Sequence, residues 1–486
     1  MKYKEHIKFT SIYTFFAAFP ALLQLIVYPL IEGNHKLGAV QFGHLAITEA
    51  IISFVALFCL FSMGAGVTRF FYDYNDTKQN YNKLVSTILN GILLRGLLLM
   101  GIALVFAPFI NTLFKDKDLQ QFQLYGPYLV VSGLCRAVLA MSIALFRQEK
   151  RLLAFVVISF LSGTFRSGFQ LVGVLYWDLS FIGYALGTAV GSGIITLGMI
   201  VYTYYKCGYH YDKAIRKQLR PFVINLIFAD FVFWGLVFAD RFFLLGQPEN
   251  LGIYDNAMKF AIGIQFILQG FTGSMQPDLF ALLKTGLHST EQEVKKLSNL
   301  YMAESIFVVM MCILPAMYFI TLFYQTKLLV SVSIISIVFV RYIFMAQYNV
   351  FSLPILFSKK TNLIFYINLC VFVLNVGLNF ILAPLYGYYG AIAALFFSYG
   401  FQVVVTKIAQ ARVIPISWNN IKLFYVPIGI VLLTIVLEVV KLQIGGNIFL
   451  FAGVLVLVSS AAMLTLYKRE VMGLVSKLMK RLKPTV

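Results

Sequence analysis

The sequence predicts an all-α integral membrane protein with about fourteen transmembrane helices, and three observations support this fold class. Of the 486 residues, 60% are hydrophobic and only 12% are charged, whereas a soluble domain carries about 25% charged residues. The apolar residues fall into long blocks, and a helix needs about 20 such residues to cross a bilayer. The Lys and Arg residues collect between the blocks on alternate sides, as loops of a polytopic protein do.

Fourteen apolar blocks define the predicted spans. The first block has no cleavage-site pattern and is too long for the core of a signal peptide, so it counts as a span. The spans cover residues 9–31, 39–64, 84–113, 122–146, 152–176, 180–205, 221–245, 251–275, 299–323, 328–350, 362–382, 388–410, 422–440 and 446–467.

The distribution of basic residues predicts the orientation. Of the 39 Lys and Arg residues, 28 fall on one predicted side of the membrane and 6 on the other. Because Lys and Arg are enriched in cytoplasmic loops, both termini are predicted to be cytoplasmic. This bias accounts for most of the net charge of +19 without a nucleic-acid partner. The loops on the opposite side are too short for a folded extracytoplasmic domain.

Residues 468–486 form a basic tail. Apolar side chains recur there at helical spacing opposite Lys and Arg, which predicts an amphipathic helix lying on the cytoplasmic leaflet. A simple stop-transfer anchor explains the same pattern equally well. The apolar positions are Val471, Leu474, Val475, Leu478 and Leu482.

Cysteine and histidine patterns predict neither a metal site nor a cofactor. The five Cys residues lie in or beside apolar blocks and form no CxxC pair, so they are interpreted as small core residues. The five His residues show no HExxH or other metal-binding spacing.

Two pairs of similar stretches indicate an internal duplication. "LYWDLSFIGYALGTAVGSG" at 175–193 resembles the second half of "LNFILAPLYGYYGAIAALFFSYG" at 378–400, at an offset of 207 between Gly183 and Gly390. "KLGAVQFGHLAITEAI" at 36–51 resembles "NLGIYDNAMKFAIGIQ" at 250–265, at an offset of 214. Both stretches around Gly183 and Gly390 combine a turn with small residues, which predicts a tight turn and a close helix–helix approach.

The duplication predicts the domain organisation. An N-lobe at 1–205 holds spans 1–6, a C-lobe at 206–412 holds spans 7–12, and 413–467 holds two extra spans. Because each repeat has an even number of spans, the two six-helix lobes are parallel and related by an axis along the membrane normal. Two such lobes around a central cleft are an architecture typical of transporters.

The quoted stretches also resemble a known family. "LNFILAPLYGYYGAIAALFFSYG", "DRFFLLGQPENLGIYDNAMKF" at 240–260 and P-D-L-F at 277–280 are similar to motifs of the polysaccharide transporter family. That family comprises O-antigen and lipid-linked oligosaccharide flippases of the multidrug/oligosaccharidyl-lipid/polysaccharide superfamily. The resemblance implies alternating-access transport, without enzyme activity, of an undecaprenyl-diphosphate-linked glycan across the bacterial inner membrane. It also implies membrane lipids and polysaccharide polymerase machinery as partners.

Ionisable residues within the spans are the candidate site, because a charge there is costly and is a functional hypothesis by default. Arginine binds phosphate oxygens bidentately and lysine acts as a point charge, so four bases are predicted to contact the diphosphate or acidic sugars. They are Arg136, Arg166, Lys259 and Arg341. Three acids are predicted to pair with them or to exchange protons or ions: Glu49, Asp230 and Glu304.

The same residues have structural interpretations. Buried salt bridges that fix helix packing explain the charges equally simply, and Arg95 is a candidate for snorkelling to the membrane surface. Asp240 and Arg241 are interpreted as a local pair at the outer rim.

Two other functions stay open from the sequence. One is a small-molecule or multidrug exporter of the same superfamily. The other is a membrane glycan polymerase or ligase, which the short outer loops disfavour.

Overall fold

The computed structural model describes residues 3–33, 36–74, 76–468 and 470, and within them the chain is helical without a β-strand. Residues 471–486 of the predicted amphipathic tail lie outside the described residues. The chain divides into two compact units. The first comprises Met1–Asp255 with Gln325–Leu328, and the second comprises Asn256–Tyr324 with Leu329–Val486.

The first unit contains nine helices within its described residues and the beginning of a tenth. They are α1 (Tyr3–Ile31), α2 (Ala39–Leu60), α3 (Met63–Tyr74), α4 (Lys78–Val105), α5 (Ala107–Leu113), α6 (Phe122–Gln148), α7 (Leu152–Leu175), α8 (Ser180–Cys207), α9 (Lys213–Phe243) and the start of α10 (Pro248–Thr285).

The second unit contains the rest of α10 and six further α-helices in its described part. They are α11 (Leu287–Phe323), α12 (Ile335–Phe357), α13 (Thr361–Tyr386), α14 (Tyr388–Val413), α15 (Val426–Ile444) and α16 (Ile448–Leu466). A 3₁₀ segment at Lys327–Ile334 leads into α12, and a π-helical turn at Ile421–Tyr425 leads into α15.

Twelve helical segments of the described chain are long and apolar enough to cross a membrane by length and composition. They do not include α1 and α10, although the Phe15–Ile31 part of α1 is a shorter apolar helix. With α1 and α10 the total is the predicted fourteen, so the all-α, multi-pass membrane fold is confirmed.

The second predicted span is broken. Residues 39–64 were predicted as one helix, but Phe61 and Ser62 adopt left-handed φ angles of 52° and 55° and separate α2 from α3. Two consecutive left-handed residues cannot continue an α-helix. The break turns the Ser62 side chain inward, where it is only 5% exposed. This break shapes one wall of the site described below.

The glycines singled out in the duplicated stretches make equivalent contacts. A Cβ on Gly390 of α14 would lie 2.0 Å from the carbonyl oxygen of Leu382 on α13. A Cβ on Gly183 of α8 would lie 2.1 Å from the carbonyl oxygen of Gly173 on α7. Only glycine permits such backbone approach, so each turn joins two closely packed helices, as predicted.

Candidate functional site

Three sequence-predicted residues meet on neighbouring helices of the first unit. Arg136 on α6 binds Glu49 on α2, with Nη2 2.6 Å from Oε1. Arg166 on α7 binds the other oxygen of the same carboxylate, with Nη2 3.0 Å from Oε2. Ser53, one turn after Glu49, accepts a hydrogen bond of 2.7 Å from Arg136 Nη1. We call these four residues the Glu49 cluster.

Glycine determines how the helices present this cluster. A Cβ on Gly133 of α6 would lie 2.5 Å from a methyl group of Val55 on α2, so only glycine lets the two helices approach here. Arg136 lies three residues later on the same face of α6 and therefore reaches Glu49 and Ser53. On the other side, Gly191 of α8 packs against the α7 backbone at Phe165, which fixes the orientation of Arg166.

The Glu49 cluster has an excess of positive charge and unused donor capacity. Two guanidinium groups share one carboxylate. The side chains are 32% exposed for Arg136, 18% for Arg166 and 25% for Glu49, so the cluster is partly accessible. Arg166 Nε is buried and finds no hydrogen-bond partner within the described part of the chain. Because buried donors are normally paired, this arrangement can accept an anionic ligand.

Arg136 also lines a cavity of about 310 Å³ between α2, α6 and α9. Asp230, a further predicted residue, lies in the same cavity and accepts a hydrogen bond of 2.6 Å from Ser62, the residue at the break between α2 and α3. An aromatic wall on α9 completes the lining. Its members are Phe233, Trp234 and Phe238. The cavity therefore offers a base, an acid and apolar ring faces to a ligand.

The remaining three predicted residues belong to the second unit. Lys259 lies on α10, Glu304 on α11 and Arg341 on α12, and each is half-buried. The Arg341 guanidinium lies 4.9 Å from the centre of the Tyr342 ring and donates a 3.1 Å hydrogen bond to its hydroxyl group. Their roles as substrate or ion contacts stay predictions.

A second cavity, of about 370 Å³, is lined by three basic residues, two of which sequence reasoning missed. Arg95, Arg216 and Arg220 line it, and none of the described lining residues is acidic. Arg216 and Arg220 lie between the predicted spans 180–205 and 221–245, but α9 begins at Lys213, where the Asp212 side chain caps the helix. Their spacing of four residues on one helical face was the available signal.

Arg95 contacts the end of α2. Its Nε donates a hydrogen bond of 2.8 Å to the carbonyl oxygen of Cys59, in the last turn of α2. Its guanidinium also lies 5.5 Å from the centre of the Phe61 ring. A cation at a helix C-terminus is favoured by the unpaired carbonyl groups there, so Arg95 caps α2.

Asp240 and Arg241 form the predicted local pair, but the pair is buried. The two residues are only 2% and 7% exposed. Arg241 Nη1 lies 3.1 Å from Asp240 Oδ1, and its Nη2 lies 2.8 Å from Asp255 Oδ1. Tyr254 donates a hydrogen bond to the other oxygen of Asp240. We call Asp240, Arg241, Tyr254 and Asp255 the Arg241 cluster; it joins the end of α9 to the start of α10.

Lys441 also differs from its predicted position in an outer loop. It lies in the last turn of α15, is 8% exposed, and pairs with Glu438 one turn earlier. Its ammonium group also donates to the backbone carbonyl of Ser333. A lysine with two such acceptors is tolerated inside apolar surroundings.

Comparison with known proteins supports the fold. No protein-family model and no curated protein sequence matches the chain. Among solved structures it is similar to lipid II flippase MurJ in an inward closed conformation, with a TM-score of 0.71 and 16% identity over 95% of this chain and 99% of that one. It is also similar to an inward-facing multidrug resistance MATE family transporter of the MOP superfamily, with a TM-score of 0.62 and 13% identity over 81% of this chain and 94% of that one.

A third similar structure is the MATE multidrug transporter DinF-BH, with a TM-score of 0.58 and 13% identity over 87% of this chain and 97% of that one. At these identities the similarity concerns the fold. The chain therefore has the helical fold that MurJ and MATE transporters share.

Proposed function

We propose that this protein is a flippase that translocates a lipid-diphosphate-linked oligosaccharide across the bacterial inner membrane by alternating access. The observation that carries the proposal is the Glu49 cluster, in which two arginines from different membrane-spanning helices share one carboxylate and keep an excess positive charge. A charged group among apolar helices costs free energy, so its presence there indicates a function. The similarity to a structure named lipid II flippase supports a substrate that is a lipid-linked precursor.

When the diphosphate binds, its oxygens replace the Glu49 carboxylate as partners of the two arginines. Arg166 and Arg136 bind phosphate oxygens through the guanidinium donors, including the buried Nε of Arg166 that has no partner within the described chain. Glu49 is the counterion of both arginines while the substrate is absent. It therefore competes with the phosphates, which weakens substrate binding enough to permit release on the other side of the membrane.

The other predicted residues extend this mechanism. Lys259 and Arg341 stay predicted contacts for phosphate oxygens or acidic sugars. Asp230 and Glu304 exchange the protons or ions that couple transport to an energy source. Four parts of the proposal rest on the family resemblance: the undecaprenyl lipid, the assignment to O-antigen, capsule or exopolysaccharide synthesis, the polymerase partner and the inner-membrane location. The cytoplasmic location of both termini rests on the charge distribution.

The proposal is tested with Arg166→Ala in proteoliposomes that contain an undecaprenyl-diphosphate-linked oligosaccharide. Transport is measured as the fraction of glycan accessible to a membrane-impermeant lectin. Arg69→Ala is the matched control, because Arg69 is 61% exposed and pairs only with Asp73 of the same helix in the described contacts. We expect Arg166→Ala to lower the rate at least about tenfold, or about 1.4 kcal/mol, with unchanged reconstitution. An unchanged rate would refute the site assignment.

A multidrug exporter is the second candidate, and one observation favours it. Asp230 shares its cavity with Phe233, Trp234 and Phe238. An acid beside aromatic faces suits an organic cation, which aromatic rings attract. Dye efflux that is abolished by Asp230→Asn but retained in Arg166→Ala would favour this function over the flippase. A glycan polymerase or ligase is less favoured, and glycan linkage formed by the purified protein would revive it.

A further inference from the structure

A histidine and two aspartates meet at the predicted extracytoplasmic end of the first unit. His44 lies in the second turn of α2, and Asp116 and Asp118 lie in the loop between α5 and α6. One ligand atom from each of the three side chains lies within 4.8 Å of the others. The sequence showed no metal-binding spacing, because 72 or more residues separate the histidine from the aspartates.

The environment of His44 is unusual. Its side chain is fully buried, with 0% exposure, and the ring packs edge-on against Phe181 at a centroid distance of 4.9 Å. Neither ring nitrogen forms a hydrogen bond with any described residue, although Nε2 lies 3.3 Å from Asp116 Oδ2. Leaving a buried polar group without a hydrogen bond costs about 1–3 kcal/mol. The imidazole is therefore oriented toward the aspartates without a conventional hydrogen bond to stabilise it.

The loop orients the carboxylate of Asp116. The backbone N–H of Asp118 donates a 2.9 Å hydrogen bond to Asp116 Oδ1, which leaves Oδ2 directed at His44. The Gln120 side chain donates to the Phe114 carbonyl at 2.9 Å, and the buried Tyr125 hydroxyl donates to the Leu119 carbonyl at 2.8 Å. These bonds hold the loop in one conformation. Groups outside the cluster thus hold the backbone of the loop that carries the two aspartates.

We propose that His44, Asp116 and Asp118 bind one divalent transition-metal ion of the Zn²⁺ class. One imidazole nitrogen and two carboxylate oxygens are a ligand set that Zn²⁺ accepts at bond lengths of about 2.0–2.2 Å. Ligand atoms of a tetrahedral zinc site lie about 3.3 Å apart at such bond lengths, the separation of His44 Nε2 from Asp116 Oδ2. Asp118 is exposed, so the remaining coordination position faces solvent.

The proposed ion links two elements. It joins the first turns of α2 to the loop before α6. Glu49 follows His44 on α2 by five residues, about 7.5 Å along the helix axis. Binding of the metal therefore restrains the segment of α2 that carries the Glu49 cluster. The proposal does not depend on which substrate the protein transports.

The test uses the full-length protein, purified in detergent, stripped with a chelator and titrated with Zn²⁺ by calorimetry. His44→Gln and Asp118→Asn remove one ligand each. His210→Gln is the matched control, because it removes an imidazole from the loop between α8 and α9. We expect one Zn²⁺ per wild-type or control chain, and affinity at least about tenfold lower in either ligand variant. Zn²⁺ should raise the unfolding temperature of the wild type and the control more than that of the ligand variants.

Equal Zn²⁺ affinity in the wild type and both ligand variants would overturn the proposal, as would a wild type that binds no Zn²⁺. In the second case His44 and Asp116 form only a direct pair. If His44→Gln does not fold, the Zn²⁺ affinity of Asp118→Asn alone tests the proposal. Asp118 is exposed in a loop, so its replacement leaves the packing of α2 intact.

Discussion

The Glu49 cluster and the Arg241 cluster of the first unit each contain three charged residues, and they differ in charge balance and burial. The Glu49 cluster has two arginines and one acid, and its charged side chains are 18–32% exposed. The Arg241 cluster has one arginine and two acids, and its ion-paired side chains are 3–9% exposed. The first retains a buried donor without a described partner, whereas every guanidinium nitrogen of Arg241 has an acceptor.

The difference separates a binding site from a structural junction. A closed cluster whose donors are all used stabilises the contact between helices. An accessible cluster with an excess of one charge attracts the opposite charge. The sequence separates the adjacent Asp240–Arg241 pair from the other charges, but only the structure shows that Tyr254 and Asp255 close the Arg241 cluster.

The largest expected effect comes from Arg241→Ala. Removing the base leaves Asp240 and Asp255 buried and uncompensated, which costs about 3–5 kcal/mol. We expect a strongly lowered unfolding temperature in detergent and reduced membrane abundance. A variant as stable as the wild type would show that the Arg241 cluster is not a structural junction.

Arg136→Ala should destabilise the protein less than Arg241→Ala does. We expect a loss of about 2 kcal/mol, because the cost of breaking a half-buried ion pair lies between those of an exposed pair and a buried pair. Arg166 still compensates Glu49 in this variant, and solvent reaches the site. The measurement is thermal unfolding in the same detergent. A loss as large as that of Arg241→Ala would assign the Glu49 cluster to structure and would remove the contrast between the two clusters.

Glu49→Gln removes the acid that competes with the proposed substrate. We expect an inorganic pyrophosphate probe to bind about tenfold more tightly, a change of about 1.4 kcal/mol, with a steeper dependence on salt. Calorimetric titration of the purified variant provides the measurement. Because release becomes slower, transport should fall even though binding improves. Weaker binding of the probe would contradict the exchange mechanism.

Arg69→Ala should have the smallest effect. Arg69 and Asp73 are 61% and 44% exposed at 3.4 Å, and exposed pairs contribute about 0–1 kcal/mol. The unfolding temperature and transport rate of the Arg69→Ala variant should match those of the wild type. A larger loss would show that the assays respond to any arginine removed from the first unit.

The sequence by itself determined the membrane class, the number of spans and the residues that ionise within them. Long apolar blocks are sufficient for this, because backbone N–H and C=O groups in lipid must be hydrogen-bonded within the protein, and a helix achieves this within one segment. The close turn at Gly390 was likewise predictable, because its small residues are adjacent in sequence and act locally.

Only the tertiary structure decided which ionisable groups meet. Glu49 lies 87 residues from Arg136 and 117 from Arg166, and His44 lies far from Asp116 and Asp118. In a soluble helix, an apolar stripe reveals the buried face. Lipid is as apolar as the protein interior, so the lipid-facing and protein-facing sides of these helices carry similar residues. The hydrophobic pattern therefore does not identify the face that packs against other helices. The rotation of each helix, and with it the pairing of its charges, follows from packing contacts such as that of Gly133 against Val55.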